Sequence, residues 1–391
     1  MSKTLHAVAA SRVFDGALLH DDAAVVIDGK RIAAVVARNE LPATISRHDL
    51  PDGAWLAPGL IDIQVNGGGD VLFNDKPTPE GVRTIVAAHR KLGTTALLPT
   101  LISDDVETMR SALAAVEALV GTEPGVLGIH LEGPFLSPEK AGVHNRAALR
   151  RPTADDLALI TARRRGVTLV TLAPEQVPED FVGKLTGAGV RVALGHSMAT
   201  YAQTKAAMTE GLSGFTHLFN AMPPLAAREP GPIAAALESP DAWYGLIVDG
   251  IHVAPAMLRL ALRGAGRPIL VSDAMPPVGG AARSFSLYGE TITVRSGRCA
   301  RADGTLAGAF LDIASAVRNC VRLCEVPLSD ALRFATKNPA EFLGLGDKLG
   351  RLAPGLRADM IALDPSTIEV LDTWVAGANA GFEPRRAAVQ P

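Results

Sequence analysis

The sequence predicts an α/β protein, with a (β/α)8 barrel in the middle of the chain and a small β-sandwich domain formed by both chain ends. Eight short apolar runs follow one another through the middle, and stretches long enough for helices separate several of them, which is typical of a barrel. Both chain ends are rich in strand-like runs and lack a long helical pattern, so we expect them to pair. An open doubly wound sheet is the alternative for the middle, although no Gly-x-Gly-x-x-Gly stretch supports its dinucleotide-binding form.

Residues 1–56 are expected to form the first part of the small domain, in which Asp28-Gly29 separates two apolar runs and predicts a hairpin. Residues 57–350 are expected to form the barrel, and residues 351–391 the second part of the small domain. The predicted barrel strands are 60–65, 95–99, 126–131, 167–172, 190–194, 214–217, 244–248 and 269–272. The predicted helices include 78–92, 104–119, 155–164, 200–211 and 254–263. Glycines flank a strand-like run at 290–294, which predicts a hairpin inserted near residues 285–308.

Composition and charge exclude several classes of function. With 391 residues and 48% hydrophobic content, the chain can bury the core of one large domain and of a smaller one. A net charge of −3 and an aromatic content of 4% argue against a nucleic-acid or membrane partner. No apolar run reaches the roughly 18 residues of a membrane span. Three cysteines, an odd and sparse set, indicate a reducing compartment, so we expect a cytoplasmic protein.

Candidate catalytic residues stand where predicted strands end. Glu132, His196, His217 and Asp273 each follow a different apolar run, and a barrel collects the carboxyl ends of its strands on one face. One carboxylate and two imidazoles suit a divalent metal such as Zn²⁺, with an open position for water. Asp273 could take a proton from that water and pass it to a leaving amine. Any one of these residues is more often structural, and it is the set of four that indicates a site.

Further polar groups near these strand ends could hold a substrate. Asn220 and the backbone around Ala221 directly follow the sixth predicted strand and could cradle an anion. Arg228 offers a bidentate fork for phosphate, or it is a solvated loop charge. His144 could contact the substrate or cap a helix, and His252 could face the pocket.

Six short segments carry a family resemblance. They are residues 57–67, 130–135, 194–197, 216–222, 249–252 and 272–274, and they include His-Leu-Glu-Gly-Pro-Phe at 130–135 and Thr-His-Leu-Phe-Asn-Ala-Met at 216–222. The segments resemble the N-acetylglucosamine-6-phosphate deacetylases, a family of the amidohydrolase superfamily, over nearly the whole chain. The resemblance implies metal-dependent hydrolysis of the acetamide of N-acetyl-D-glucosamine 6-phosphate. The products would be D-glucosamine 6-phosphate and acetate, in amino-sugar recycling.

The resemblance also implies roles for the residues at the strand ends. Glu132, His196 and His217 would bind one divalent metal ion per subunit. Zn²⁺ is the first choice, and Fe²⁺, Mn²⁺ and Co²⁺ suit similar ligands. Asp273 would be the general acid and base of the hydrolysis.

A second group of residues would hold the substrate, according to the same resemblance. His144 would contact the substrate near the amide, and from this position we expect it to help the metal to stabilise the tetrahedral oxyanion. Asn220, the backbone of Ala221 and His252 would surround the sugar phosphate. Arg228 would reach across a homodimer interface into the neighbouring active site.

The end of the first strand departs from the superfamily pattern. Many amidohydrolases carry His-x-His there, which helps to bind a second metal, whereas this chain has Gln64-Val65-Asn66. Alternation along a strand points both amide side chains the same way, but neutral amides are poor ligands for a borderline cation. We therefore expect a single metal, with a vestigial second-metal position at Gln64 and Asn66.

Two alternative functions stay open at this point. The nearer one is a related amidohydrolase that acts on another N-acyl substrate, such as N-acetylgalactosamine 6-phosphate or an N-acyl amino acid. The other is a non-catalytic sugar-phosphate-binding protein. Asp273 argues against it, because binding alone needs no proton shuttle.

Overall fold

The computed structural model describes residues 5–380, so residues 1–4 and 381–391 of the predicted small domain lie outside the described residues. Eight parallel strands form a nearly closed sheet in sequence order. These strands are Leu60–Val65, Thr94–Ile102, Gly128–Glu132, Val167–Leu172, Arg191–Leu194, Gly214–Phe215, Trp243–Ile247 and Arg267–Val271. A parallel bridge between Val65 and Ala274 brings the last strand back to the first. The predicted barrel is therefore confirmed.

Several helices begin at a residue whose side chain caps the first turn. Thr153 and Thr200 each form a capping box, with Asp156 and Gln203 respectively, which satisfies backbone N–H groups of the first turn. The helices are Pro79–Arg90, Val106–Leu119, Ala154–Thr161, Phe181–Gly187, Tyr201–Thr209, Gly231–Glu238, Pro255–Ala261, Ile313–Cys324, Leu328–Phe334 and Lys337–Phe342. Short 3-10 turns lie at Arg38–Glu40, Pro138–Lys140 and Pro174–Gln176. Among residues 5–380, no helix has both the length and the apolar character needed to cross a bilayer.

Strands from both chain ends pair in a second sheet. Its members are Leu5–Phe14, Leu19–Asp28, Arg31–Ala37, Ser46–Asp49, Trp55–Pro58, Met360–Asp364, Glu369–Val375 and Ala378–Asn379. Trp55–Pro58 runs antiparallel to Met360–Asp364, and this pairing joins the two ends as predicted. The hairpin at Asp28-Gly29 is also confirmed, since Asp28 pairs with Arg31 and Gly29 takes the positive φ of +59° that such a turn requires. The domain boundaries at residues 56 and 350 stay a prediction.

The segment after the eighth barrel strand forms more than the single hairpin that we expected. It contains four antiparallel strands, Ser284–Leu287, Glu290–Arg295, Arg298–Ala300 and Leu306–Ala309, which we call the inserted sheet. Its apolar face packs against Leu72, Ile102 and Met275. Ile102 ends the second barrel strand and Met275 lies in the segment after the eighth, so the inserted sheet covers part of the carboxyl face of the barrel. A two-stranded hairpin, Gly67–Gly68 with Val71–Leu72, lies beside it.

Candidate active site

Four buried side chains from different strand ends meet at the carboxyl face of the barrel. Glu132 ends the third strand, His196 and His217 follow the fifth and sixth strands, and Asp273 follows the eighth. Their exposed fractions are 2%, 7%, 4% and 9% in that order. The structure therefore brings together the four residues that stand at predicted strand ends.

Glu132, His196 and His217 each direct one atom toward a common point. Glu132 Oε1 lies 3.1 Å from His196 Nε2 and 3.0 Å from His217 Nε2, and the two Nε2 atoms are 3.1 Å apart. His196 Nδ1 lies 2.7 Å from the carbonyl oxygen of Lys140. Because a carbonyl only accepts, the ring proton lies on Nδ1 and Nε2 offers a lone pair. A lone pair that faces a carboxylate oxygen is stabilised by a cation between them, so these three residues fit a divalent metal.

The Glu132 carboxylate is ionised, as a metal ligand must be. Burial acts to raise the pKa of this carboxyl group, but the close approach of the His196 and His217 imidazoles outweighs burial and holds the pKa well below the usual range. The second oxygen, Oε2, accepts a hydrogen bond of 3.1 Å from Gln64 Nε2. Gln64 therefore orients the carboxylate so that Oε1 faces the two imidazoles.

Asp273 lies beside this set and is held from the first strand. Its Oδ1 accepts a hydrogen bond of 2.7 Å from Asn66 Nδ2 and one of 3.2 Å from Gln64 Nε2. Burial, followed by the charge of Glu132, raises the pKa of Asp273 to about 6. A carboxyl group with such a pKa can both accept and release a proton near neutral pH. The amide groups of Gln64 and Asn66 thus donate to carboxylates, and their role as a vestigial metal position stays a prediction.

The backbone turns sharply at the residues of the site. His196, His217 and Asp273 adopt positive φ values of +48°, +31° and +50°, a conformation that costs a non-glycine residue about 1–3 kcal/mol. The residue before His196 is glycine for a packing reason, since a Cβ on Gly195 would lie 2.6 Å from Thr171 Cγ2. Strained backbone and close packing therefore coincide at the turns that direct these side chains into the cavity.

Two further histidines line the same cavity. His144 Nε2 lies 3.9 Å from Glu132 Oε1, and the ring centroids of His144 and His196 are 4.3 Å apart. Burial, followed by the charge of His196, lowers the pKa of His144 well below its usual value, so this imidazole is neutral. His252 Nδ1 donates to Asp249 Oδ2 at 2.6 Å, and Asp249 Oδ1 accepts from the backbone N–H of His252. Asp249 therefore orients the His252 ring, which leaves Nε2 for the cavity.

The residues expected to hold the sugar phosphate lie at different depths. Asn220 and Ala221 line the cavity, and Ala221 has a positive φ of +52°. Asn220 Nδ2 donates to the backbone oxygen of His217 at 3.2 Å. Arg228 lies on an exposed loop and does not belong to the lining of the cavity within this chain. Its predicted reach into the active site of a second subunit stays a prediction.

The cavity that contains these residues has a volume of about 330 Å³, in the range of small-molecule sites. Besides the polar groups above, Val143, Ile247, Met275 and Leu306 supply apolar walls. Leu306 belongs to the inserted sheet, so this sheet forms part of the wall. The cavity thus combines three residues that could hold a metal ion, a buried carboxyl group and a mixed polar and apolar lining.

Two residues that support the site, Glu175 and His130, were not predicted from the sequence. Glu175 accepts hydrogen bonds from Ser197 Oγ at 2.7 Å and from the backbone N–H of Met198 at 2.6 Å, and so fixes the turn after His196. His130 lies beneath Glu132 on the same strand, with its Nε2 2.7 Å from Thr171 Oγ1. The strand period of two places residues 130 and 132 on the same side, which could have indicated His130.

Comparisons with known proteins agree with this geometry. Residues 55–386 match the amidohydrolase family, and residues 5–56 match the NagA composite domain. The chain is 44% identical over 326 residues to the N-acetylgalactosamine-6-phosphate deacetylase of Shewanella sp. (strain ANA-3), covering 82% of each chain. It is 35% identical to the N-acetylglucosamine-6-phosphate deacetylase of Haemophilus influenzae, covering 91% of this chain and 94% of that protein.

A solved structure gives the same result for the fold. The N-acetylglucosamine-6-phosphate deacetylase from Pasteurella multocida superposes with a TM-score of 0.92 at 33% identity, covering 97% of this chain and 100% of that chain. The family match, the relatives and the superposition each extend over most of the sequence. The chain therefore belongs to the amidohydrolase family.

Proposed function

We propose that the protein hydrolyses the acetamide of N-acetyl-D-glucosamine 6-phosphate to D-glucosamine 6-phosphate and acetate, in amino-sugar recycling. The observation that carries this proposal is the convergence of Glu132, His196 and His217 beside Asp273 in one cavity. The relatives and solved structures named for this reaction support the choice of substrate. The chain is a hydrolase of the amidohydrolase family, and a purely sugar-binding role would leave Asp273 without a function.

The metal would be held by Glu132 Oε1, His196 Nε2 and His217 Nε2. A divalent ion bound there would polarise the acetamide carbonyl and lower the pKa of a water molecule toward ~7. We propose one ion per subunit, with Zn²⁺ as the first choice because a carboxylate and two imidazoles are common zinc ligands. Fe²⁺, Mn²⁺ and Co²⁺ suit the same donors.

Asp273 would move the proton during the reaction. Both amide donors reach Oδ1, so Oδ2 is the oxygen left to accept the proton of the attacking water. The same oxygen then delivers that proton to the nitrogen of the departing amine. A pKa raised by burial suits both steps, because the carboxylate gains the proton and loses it again near neutral pH.

The remaining residues would bind and orient the sugar phosphate. His144 would donate from Nε2 to the acetamide oxygen as negative charge develops there. His252, which Asp249 holds in place, would bind the sugar phosphate together with Asn220 and the Ala221 backbone. The protein would act as a homodimer in which Arg228 of one subunit binds the phosphate in the other, since its loop is exposed and Leu225 beside it is 45% exposed.

A second substrate has specific support. The relative at 44% identity is an N-acetylgalactosamine-6-phosphate deacetylase, so the galactosamine epimer is the alternative to the glucosamine epimer. The test is acetate release from both phosphorylated epimers and from unphosphorylated N-acetylglucosamine, measured as kcat/KM. We expect the phosphorylated glucosamine epimer to give the highest value. A higher value for the galactosamine epimer would reassign the substrate, and no preference for phosphorylated sugars would contradict the phosphate pocket.

We also propose that the protein works in the cytoplasm. The cysteines Cys299, Cys320 and Cys324 are free thiols, as is usual in a reducing compartment. A phosphorylated sugar is also a substrate of cytoplasmic metabolism. Fractionation of cells that express the protein would test this assignment.

A further inference from the structure

His144 is held on the side away from the cavity by a residue that the sequence did not single out. Ser103 follows the second barrel strand and is 1% exposed. Its backbone nitrogen lies 3.2 Å from His144 Nδ1, and its Oγ lies 2.8 Å from the same atom. A backbone N–H can only donate, so Nδ1 must accept and cannot carry the ring proton. The proton of the neutral ring therefore lies on Nε2.

The glycine at position 133 leaves space for the contact between Ser103 and His144. A Cβ on Gly133 would lie 2.2 Å from Ser103 Oγ, and Gly133 also has a positive φ of +92°. Any larger residue after Glu132 would displace the Ser103 hydroxyl from His144. The His-Leu-Glu-Gly segment therefore needs glycine at this position, because Ser103 approaches His144 there.

The inserted sheet also holds Ser103, through the backbone oxygen of that residue. Tyr288, at the turn between the first two strands of that sheet, donates from Oη to the backbone oxygen of Ser103 at 2.8 Å. Asn74 pairs with the neighbouring residue, since Ile102 N–H donates to Asn74 Oδ1 at 3.2 Å and Asn74 Nδ2 donates to the Ile102 oxygen at 2.9 Å. The backbone at residues 102–103 is therefore fixed by partners from two other segments.

We propose that Ser103 is a positioning residue that confines the proton of His144 to Nε2, and that Tyr288 of the inserted sheet anchors Ser103 for this purpose. The inference rests on the proposed function, in which water attacks the acetamide and its oxygen gains negative charge. A donor at Nε2 stabilises that charge, whereas the other tautomer would present a lone pair and repel it. The inserted sheet thus contributes to the reaction as well as to the wall of the cavity.

The tautomer can be measured without turnover. Nitrogen-15 NMR of the metal-loaded protein labelled at histidine distinguishes a protonated ring nitrogen from an unprotonated one, and comparison with His144→Asn identifies the signals. We expect a protonated Nε2 and an unprotonated Nδ1 on His144. A proton on Nδ1 would overturn the proposal. Because this readout does not depend on substrate, it also separates a failure of the proposal from a failure of the proposed reaction.

The kinetic test uses Ser103→Ala and Tyr288→Phe in the metal-loaded protein. Each removes a single hydroxyl group, and we expect kcat to fall about 5- to 30-fold while KM changes less than about twofold, because a donor to the transition state loses its orientation. Tyr244→Phe is the matched control. Tyr244 Oη also donates to a backbone oxygen at 2.8 Å, that of Ala261, but it lies outside the cavity, so its loss should leave kcat unchanged. Wild-type kcat in both Ser103→Ala and Tyr288→Phe would overturn the positioning role of the two hydroxyl groups. The backbone N–H of residue 103 remains in Ser103→Ala, so the NMR measurement tests the tautomer itself.

Discussion

Asn66 Nδ2 lies 2.7 Å from Asp273 Oδ1, and this hydrogen bond joins the first barrel strand to the residue after the last one. Gln64, two residues earlier, donates from one nitrogen to both Asp273 and Glu132. Two carboxylates that would otherwise repel each other are therefore linked through an amide. Gln64 and Asn66 thus hold the Asp273 carboxyl group close to Glu132.

Replacement of Asp273 should abolish proton transfer while the metal site stays intact. In Asp273→Asn we expect kcat for deacetylation to fall by about 10²–10⁴-fold, the usual contribution of a general acid and base. Acetate release and metal content would be measured on the same preparation. Wild-type turnover in the variant, at full metal content, would contradict the role of Asp273.

Replacement of Glu132 should release the metal. Glu132→Gln removes the anionic oxygen that faces both imidazoles, and we expect metal content, measured by elemental analysis, to fall well below that of the wild type. Glu139→Gln is the control, because Glu139 also lines the cavity but is bound to Ser137 rather than to the histidines. Equal metal content in Glu132→Gln and the wild type would show that the ligand set is misassigned.

Loss of Arg228 should weaken binding of the phosphate only. We expect Arg228→Ala to raise KM for the phosphorylated sugar about 10- to 100-fold, as for the loss of a charged hydrogen bond, with little change for the unphosphorylated sugar. Arg263→Ala, at another exposed position, should leave both KM values unchanged. An unaltered KM for the phosphorylated sugar in Arg228→Ala would remove Arg228 from the phosphate site.

Asp62 should make the protein less stable as pH rises. It is fully buried in the barrel, and burial raises its pKa from 3.8 to about 7. The native state therefore holds an extra proton between these two pH values, so the free energy of unfolding falls as pH rises through this window. The Asp62→Asn side chain is neutral, like the protonated carboxyl group, so the free energy of unfolding of this variant should not fall in the same way.

The expected result is a pH-dependent difference between the two proteins. The free energy of unfolding of Asp62→Asn, minus that of the wild type, should increase by about 2 kcal/mol from pH 5 to pH 8. Denaturant unfolding at several pH values, with metal held constant, would measure it. A difference that stays constant across this range would mean that Asp62 titrates normally.

Much of the fold followed from local patterns in the sequence. Apolar runs that end in a histidine or a carboxylate marked the barrel strands, and Asp28-Gly29 marked a hairpin, because these signals depend on a few neighbouring residues. The number of strands in the inserted sheet was underestimated. Its strands are short and partly exposed, and only Glu290–Arg295 has a clear strand pattern.

The contacts that orient the site could not be predicted in the same way. Ser103 and His144 are 41 residues apart, and Tyr288 lies 185 residues from Ser103, so only the folded barrel shows that they touch. The carbonyl oxygen of Lys140 sets the tautomer of His196. Because it is a backbone atom that every residue type has, the sequence could not indicate this contact. The sequence therefore indicated the candidate reacting groups, and the structure shows which groups hold them.

The most direct test is acetate release from N-acetyl-D-glucosamine 6-phosphate by the same protein before chelation, after chelation and after return of one equivalent of Zn²⁺. We expect turnover to disappear with the metal and to return with it, while Asp273→Asn stays inactive at full metal content. Undiminished turnover by metal-free protein would contradict the proposal that Glu132, His196 and His217 hold a catalytic metal.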